Sequence, residues 1–415
     1  MRQKFILDIN PSTGELIEKI KCSSRGEIAS AIKLARKALK TWSDTPIKSK
    51  IAAMKRIAKD LMKEKEELGK LITDEMGKIY KSAVGEVVGT ANAILENIKL
   101  AEKAFQMEKY QEGNLVTELY RVPIGVVAVI TPWNFPVGMP ESLLTPAILA
   151  GNSVVFKPSE LTPLTGKMLY TIYNRHLPKG VINLLLGAGE VGEELVNSEI
   201  DMVGFVGSQA VGKKIMEASS KRLNRLVLEL GGKDPMIILK DADLTAAAKY
   251  AVVGSLRNSG QVCVSVERIF VEEKIADKFE KLVIENVKKF KVGDGYGDND
   301  MGPMVSEEQR SHVVRQIEEA QRKGAQIIYS GNRLNGKGFW LEPTVITNLA
   351  DKHNIMNVET FGPVICIQKV KTPEEAIEKA NNLNFGLGAT IWSKNKNKVK
   401  KYAMKIESGM IGVNQ

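Results

Sequence analysis

Residues 125–130 (GVVAVI) form an uninterrupted apolar run. Four more follow it: 153–156 (SVVF), 181–186 (VINLLL), 202–206 (MVGFV) and 226–230 (LVLEL). Runs this short, bounded by Gly, Pro and polar residues, predict strands rather than helices. Their continuous apolar character predicts burial on both faces, as in a parallel sheet covered by helices. Amphipathic stretches separate the runs, so the pattern is that of a doubly wound, nucleotide-binding kind of sheet. A second α/β series begins near Pro235, with strands expected near 236–239, 268–271, 327–329, 364–367 and 389–392.

Upstream of the first run, residues 24 to about 107 read as helices, with Ile28, Ile32 and Ala35 and then Ile51, Met54 and Ala58 at helical spacing. Residues 110–123 (YQEGNLVTELYRVP) look like a hairpin turning at Glu-Gly-Asn. The expected fold is therefore α/β: two doubly wound domains with a β-hairpin arm. One domain takes residues 1–107 and 124–231, the arm takes 108–123, and the second domain takes 232–415.

Composition narrows the function classes. A chain of 415 residues, 43% hydrophobic and 26% charged, is an ordinary globular protein of two or three domains. Cys22, Cys263 and Cys366 form no CxxC pair, and His176, His312 and His353 are far apart in sequence, so neither a disulfide framework nor a metal site is expected. The longest uncharged segment, 122–140, carries Pro123, Pro132, Pro136 and Pro140, which forbid a spanning helix. The charged first residues lack an apolar leader stretch, and a cytoplasmic location is expected. Net charge is +10, yet the signs alternate, as in 59–70 (KDLMKEKEELGK), so a solvated surface is favoured over a nucleic-acid partner.

Two glycine loops invite a phosphate reading. Residues 187–192 (GAGEVG) match GxGxxG after a strand, but the next strand ends in Val206-Gly207, without the acid that would hold a ribose. Residues 207–214 (GSQAVGKK) nearly match a P-loop, yet Lys214 stands where a Mg²⁺-binding hydroxyl is needed, which weakens the rival NTPase reading. What survives is a set of backbone amides at a helix N-terminus facing a phosphate. At another strand end, Lys157 and Glu160 are close enough to share one ribose; a bare turn at Pro158 is the alternative.

Three residues are candidates for chemistry. Cys263 lies in Asn258-Ser259-Gly260-Gln261-Val262-Cys263, a glycine-containing loop between a helix and a strand, where reactive groups are commonly placed. Cys22 and Cys366 fit core packing. Glu229 sits in an apolar strand: buried there, its carboxylate would rise toward a general base's range, whereas at a strand end it would simply face water. Asn134, after the first strand, is either an oxyanion donor or a turn residue of a proline loop.

These stretches, in order, resemble the aldehyde dehydrogenase superfamily across essentially the whole chain: NPSTGE (10–15), TPWNFP (131–136), VFKPSE (155–160), FVGS (205–208), LELGGK (228–233), GQVC (260–263) and ETFGPV (359–364). The resemblance implies a Rossmann-like NAD-binding domain, a catalytic domain and an oligomerisation hairpin. It implies that Cys263 is the nucleophile, Glu229 the base for the deacylating water, and Asn134 with the Cys263 N–H the oxyanion hole. It also implies a cofactor, NAD or alternatively NADP, held by Thr131, Trp133, Lys157, Ser159, Glu160, Gly207, Ser208, Leu230, Glu359 and Phe361. The implied partners are a small aldehyde, for example a semialdehyde or lactaldehyde, and further copies of the chain. Similar proteins continue past Gln415 through a PFGG-type loop and a last strand, so the resemblance implies C-terminal truncation. A CoA-acylating enzyme and a truncated, inactive cofactor-binding relative are the rival readings.

Overall fold

The computed structural model describes residues 4–331 and 336–415. Residues 1–3 and 332–335, inside the expected domains, lie outside the described residues. The chain divides into two compact units. The first holds residues up to 9, 16–76 and 80–229; the second holds 10–15, 77–79 and 230–415.

The first unit is built on a five-stranded sheet in the order Ile182–Leu184, Ser153–Lys157, Val126–Ile130, Met202–Gly207, Arg225–Leu230. The first four strands pair in parallel, with Val127 opposite both Val154 and Met202. Every residue of Val126–Ile130 and Ser153–Lys157 is buried, as the apolar runs predict. Chain order steps outward from Val126–Ile130 in one direction and then resumes on its other side at Met202–Gly207. The crevice at that reversal is where such sheets bind ligands. Strand Arg225–Leu230 departs from expectation: it is the sheet edge, and exposed Arg225, Val227 and Glu229 alternate with half-buried neighbours. Its apolar letters suggested two-sided burial that an edge position does not give.

Four helices precede the sheet: Arg25–Trp42, Ile47–Lys63, Lys65–Met76 and Tyr80–Ala104. A capping box starts the first, with the Glu27 N–H donating to Ser24 Oγ (3.2 Å) and the Ser24 N–H to Glu27 Oε2 (2.7 Å). Met54, Ile57, Leu61 and Ile94 pack with Val127, Val129 and Phe156 in one core; full burial of such a side chain stabilises by roughly 1.5–3 kcal/mol. The hairpin pairs Glu108–Glu112 with Leu115–Leu119 through a two-residue loop in which Gly113 has φ 59°. An antiparallel ribbon of Phe5–Ile9 and Leu16–Lys21 was not anticipated, because its strands are short and half polar.

The second unit carries seven strands in the order Gln326–Ser330, Thr344–Thr347, Val364–Val370, Val266–Glu272, Asp234–Ile238, Gly388–Trp392, Met410–Val413. All pair in parallel except the first two, which are antiparallel. Five of the seven follow from the sequence pattern. Thr344–Thr347 and Met410–Val413 escape it because each has only four residues. Segments 10–15 and 77–79 join this unit rather than the first domain assigned from sequence. Hydrogen bonds explain one of them: Phe339 N–H donates to Pro11 O (2.8 Å) and Trp340 Nε1 to Ser12 O (3.1 Å). For the other, Gly302 lies so close to the Gly77 carbonyl that no side chain fits between.

Candidate active site

Parallel strands end together, so the first unit gathers several named residues along one sheet edge. Lys157 closes one strand, Gly207 closes another, and Thr131 follows a third with its N–H donating to Lys157 O (3.2 Å). A cleft of about 540 Å³ opens here, lined by Ile130, Lys157, Gly189, Gly192, Phe205 and Lys214, among others. Lys157 is buried, which pushes its ammonium below the usual lysine range. Its Nζ donates to Pro158 O (3.1 Å) and to Glu160 Oε2 (3.3 Å). Lys157, which lines the cleft, is thus paired with Glu160. Ser159 Oγ instead accepts from the Leu161 N–H (3.2 Å) and shapes the turn.

The glycines have steric reasons. A side chain on Gly207 would strike the Phe205 ring, and Gly192 faces the Lys157 stem. Ser208 caps helix Gln209–Ser220 by accepting from the Val211 N–H (3.4 Å), which leaves other first-turn amides for an anion. Thr131 Oγ1 is buried without a hydrogen-bond partner among the described residues. A buried cation and a helix N-terminus on one cleft, with this orphaned atom next in chain to its lining residue Ile130, fit a dinucleotide's hydroxyls and phosphates.

Asn134 is buried in the loop after Val126–Ile130, and Trp133 is half-buried beside it. The next helix, Gly138–Leu149, is anchored by Glu86, whose Oε1 accepts from the N–H groups of Val137 (2.9 Å) and Gly138 (3.0 Å). Sequence reading passed over Glu86; only its helical setting in Tyr80–Ala104 was legible.

The second unit assembles three further motifs. Asn258, Ser259 and Gly260 all have left-handed φ (54°, 60° and 70°), so the chain turns sharply before Cys263. For the two non-glycine residues this is strain of the kind concentrated at functional sites. Ser259 Oγ donating to Gly302 O (2.9 Å) and Gln261 Oε1 accepting from the Val305 N–H (2.9 Å) hold the turn. No side chain fits on Gly260, which abuts the Gly362 carbonyl, or on Gly232, which abuts the Cys263 carbonyl, and one on Gly231 would displace the Glu359 carboxylate. The Gly231-Gly232 pair, GQVC and ETFGPV therefore meet within the second unit.

Cys263 is half-buried. Burial pushes its thiol up, the nearby N–H groups of Val264 and Cys263 acting in the opposite sense. Cys366 is buried within strand Val364–Val370, and its thiol is pushed up to about 12. Glu359 accepts from the Gly232 N–H (3.1 Å), and burial, with the Glu267 carboxylate next in weight, raises it to about 7. Phe361 has φ 50°. Helix Glu307–Arg322 presents Gln309, His312 and Gln316 to the 359–361 carbonyls, a set that sequence reading missed although their i, i+3, i+7 spacing marks one helix face.

Glu229 requires a correction. Its side chain is exposed on the edge strand, so of the two sequence readings the water-facing one describes its setting. Leu230, the next residue, is half-buried. Among the described residues no His, Cys, Asp and Glu group could hold a metal ion, and no helix is long and apolar enough to cross a membrane.

Comparisons with known proteins bear on this geometry. The aldehyde dehydrogenase family profile matches residues 2–415. The chain is 34% identical to the 3,6-anhydro-alpha-L-galactose dehydrogenase of Vibrio sp. (strain EJY3), over 98% of this chain and 87% of that one. Among solved structures it is similar to lactaldehyde dehydrogenase from Escherichia coli (34% identity, TM-score 0.96, 100% of this chain and 88% of that one). It is also similar to the NADP-dependent glyceraldehyde-3-phosphate dehydrogenase from Bacillus halodurans C-125 complexed with NADP (33%, TM-score 0.95, 99% and 87%). Those coverages do not support the C-terminal truncation expected from the resemblance. The chain belongs to the aldehyde dehydrogenase family, NAD(P)-dependent oxidoreductases that convert an aldehyde to its carboxylic acid.

Proposed function

We propose that Cys263 is the nucleophile of this oxidation, Asn134 the oxyanion donor and Glu229 the base for hydrolysis. The observation that carries the reading is the setting of Cys263: a half-buried thiol just after a strained left-handed turn at Asn258-Ser259. The sulfur, its proton released to solvent, bonds to the aldehyde carbon, and the carbonyl oxygen becomes an anion. The Asn134 amide and the Cys263 N–H donate to that oxygen. A nicotinamide bound by the residues below would supply the acceptor for the hydride on that carbon, the adduct on Cys263 then becoming a thioester. The thioester left on Cys263 is attacked by water whose proton passes to Glu229; the C–S bond breaks and the acid departs. An exposed carboxylate suits that last role, since it must meet water.

The first unit acts as the NAD-binding domain and the second as the catalytic domain. Thr131, Trp133, Lys157, Ser159, Glu160, Gly207 and Ser208 hold the adenosine and pyrophosphate side of the cofactor; Leu230, Glu359 and Phe361 hold the nicotinamide side. The Lys157–Glu160 pair supports a preference for NAD, because the carboxylate accepts from ribose hydroxyls and repels a 2′-phosphate. The relatives' printed substrates support a small polar aldehyde, a lactaldehyde or semialdehyde among them. Exposed Tyr110, Leu115 and Leu119 on the hairpin support self-association through that arm. Three free cysteines support a reducing, cytoplasmic setting.

The test is NADH absorbance over a panel of hydroxy-aldehydes and semialdehydes, with Cys263→Ala as control. Turnover by the parent chain and none by the variant is expected; equal rates would contradict the assignment.

A further inference from the structure

Segment 359–361 has no regular secondary structure, yet every main-chain polar group from Glu359 O to Phe361 O is held. Glu359 O lies 3.1 Å from His312 Nε2 and accepts from Gln316 Nε2 (3.2 Å). Gln309 Nε2 donates to both Thr360 O and Phe361 O (3.1 Å each). The two N–H groups converge on one carboxylate: Thr360 N–H donates to Glu267 Oε2 and Phe361 N–H to Glu267 Oε1, each at 2.8 Å.

The chain then bends just past these two N–H groups, since Phe361 has the left-handed φ of 50°. A left-handed phenylalanine is costly and persists only where its surroundings over-determine it. The surroundings here are a buried ion pair. Glu267 receives Lys233 Nζ (2.5 Å), which also donates to Thr360 Oγ1 (2.8 Å); Thr360 Oγ1 in turn donates to Gln316 Oε1 (2.7 Å). Lys233, Glu267 and Thr360 are all buried. Hydrophobic side chains would fill that space at lower desolvation cost, so the pair is better explained by what it orients than by stability.

We infer that Glu267 is a positioning residue for cofactor binding: its carboxylate clamps the bend at Thr360-Phe361, which aims the Glu359 carboxylate and the Phe361 ring. The inference rests on the proposed role of Glu359 and Phe361 in holding the nicotinamide side. Glu267 itself touches no substrate. Both of its oxygens are in use, and a glutamine has only one acceptor oxygen, so one N–H would face an amide NH₂ and the bend would open.

The experiment measures cofactor KM, aldehyde KM and the alkylation rate of Cys263 in full-length Glu267→Gln and Glu359→Gln. For Glu267→Gln, cofactor KM is expected to rise roughly tenfold to a hundredfold, the scale for losing a hydrogen bond to a charged group. Aldehyde KM and Cys263 alkylation are expected to hold. Unchanged cofactor KM, or a parallel loss in all three readouts, overturns the inference, the second because it marks general loosening. If Glu359→Gln also leaves cofactor KM unchanged, the reading of Glu359 falls; if it raises KM while Glu267→Gln does not, only the present inference falls. Should Glu267→Gln fail to fold for want of a partner for Lys233, the double variant Lys233→Met, Glu267→Gln removes both charges. It is expected to show the same cofactor KM rise, and no rise overturns the inference.

Discussion

Cys263 and Cys366 belong to the same unit, yet one sits after a strained turn and the other inside a strand. The strand wraps Cys366 in apolar neighbours, and its thiol is pushed up to about 12. The turn leaves Cys263 half open, although burial still pushes that thiol up. The difference teaches that backbone geometry, with the side chain the same, decides which thiol is left open to a ligand. It also makes the contrast breakable.

The largest expected effect is on Cys263 itself. Cys263→Ala should lower turnover by more than about 10³-fold, while Cys366→Ala should keep turnover and cost about 1 kcal/mol of stability through the cavity left. Activity assays with a denaturation curve for each variant separate the two outcomes. Next comes Glu229→Gln, which should slow steady-state turnover by roughly 10²–10⁴-fold after a single burst of NADH; stopped-flow absorbance shows whether the burst precedes the stall. Asn134→Ala should lower kcat by about 10²–10³-fold, with cofactor dissociation unchanged in a fluorescence titration.

A smaller effect concerns pH. Because the Cys263 thiol is raised, its thiolate fraction should still be growing above the usual thiol value of about 8.5. Iodoacetamide should therefore label Cys263 faster with each step from pH 7 to pH 9, and leave Cys366 unlabelled while the chain stays folded. A flat labelling rate would mean the thiol is already ionised, contrary to its raised position. The smallest effect is at the cofactor ribose: Glu160→Ser should narrow any preference for NAD over NADP by about tenfold, the repulsion of one carboxylate from a 2′-phosphate being removed. Equal KM ratios before and after would leave Glu160 without that role.

The first sheet was legible because two-sided burial writes itself as continuous apolar letters, as in GVVAVI. The same logic misled at LVLEL, since an edge strand with Leu226 and Leu228 half-buried looks alike in sequence, and Glu229 proved exposed. Strands of four residues, Thr344–Thr347 and Met410–Val413, offer too few positions for any period to show. At the site, reactive letters and glycines were readable as local patterns. Glu86, Glu267 and Gln309 were not, because each acts on main chain far away in sequence, and nothing in a one-dimensional spacing couples Glu267 to Phe361.

The central claim is that Cys263 carries the acyl group during the reaction. Intact-mass and peptide mass spectrometry of Glu229→Gln, mixed with aldehyde and NAD⁺ and quenched in acid, reads that group directly. The account predicts one acyl mass added per chain, on the peptide containing Cys263. An unmodified Cys263 peptide despite a burst of NADH, or the acyl mass on another residue, would contradict it.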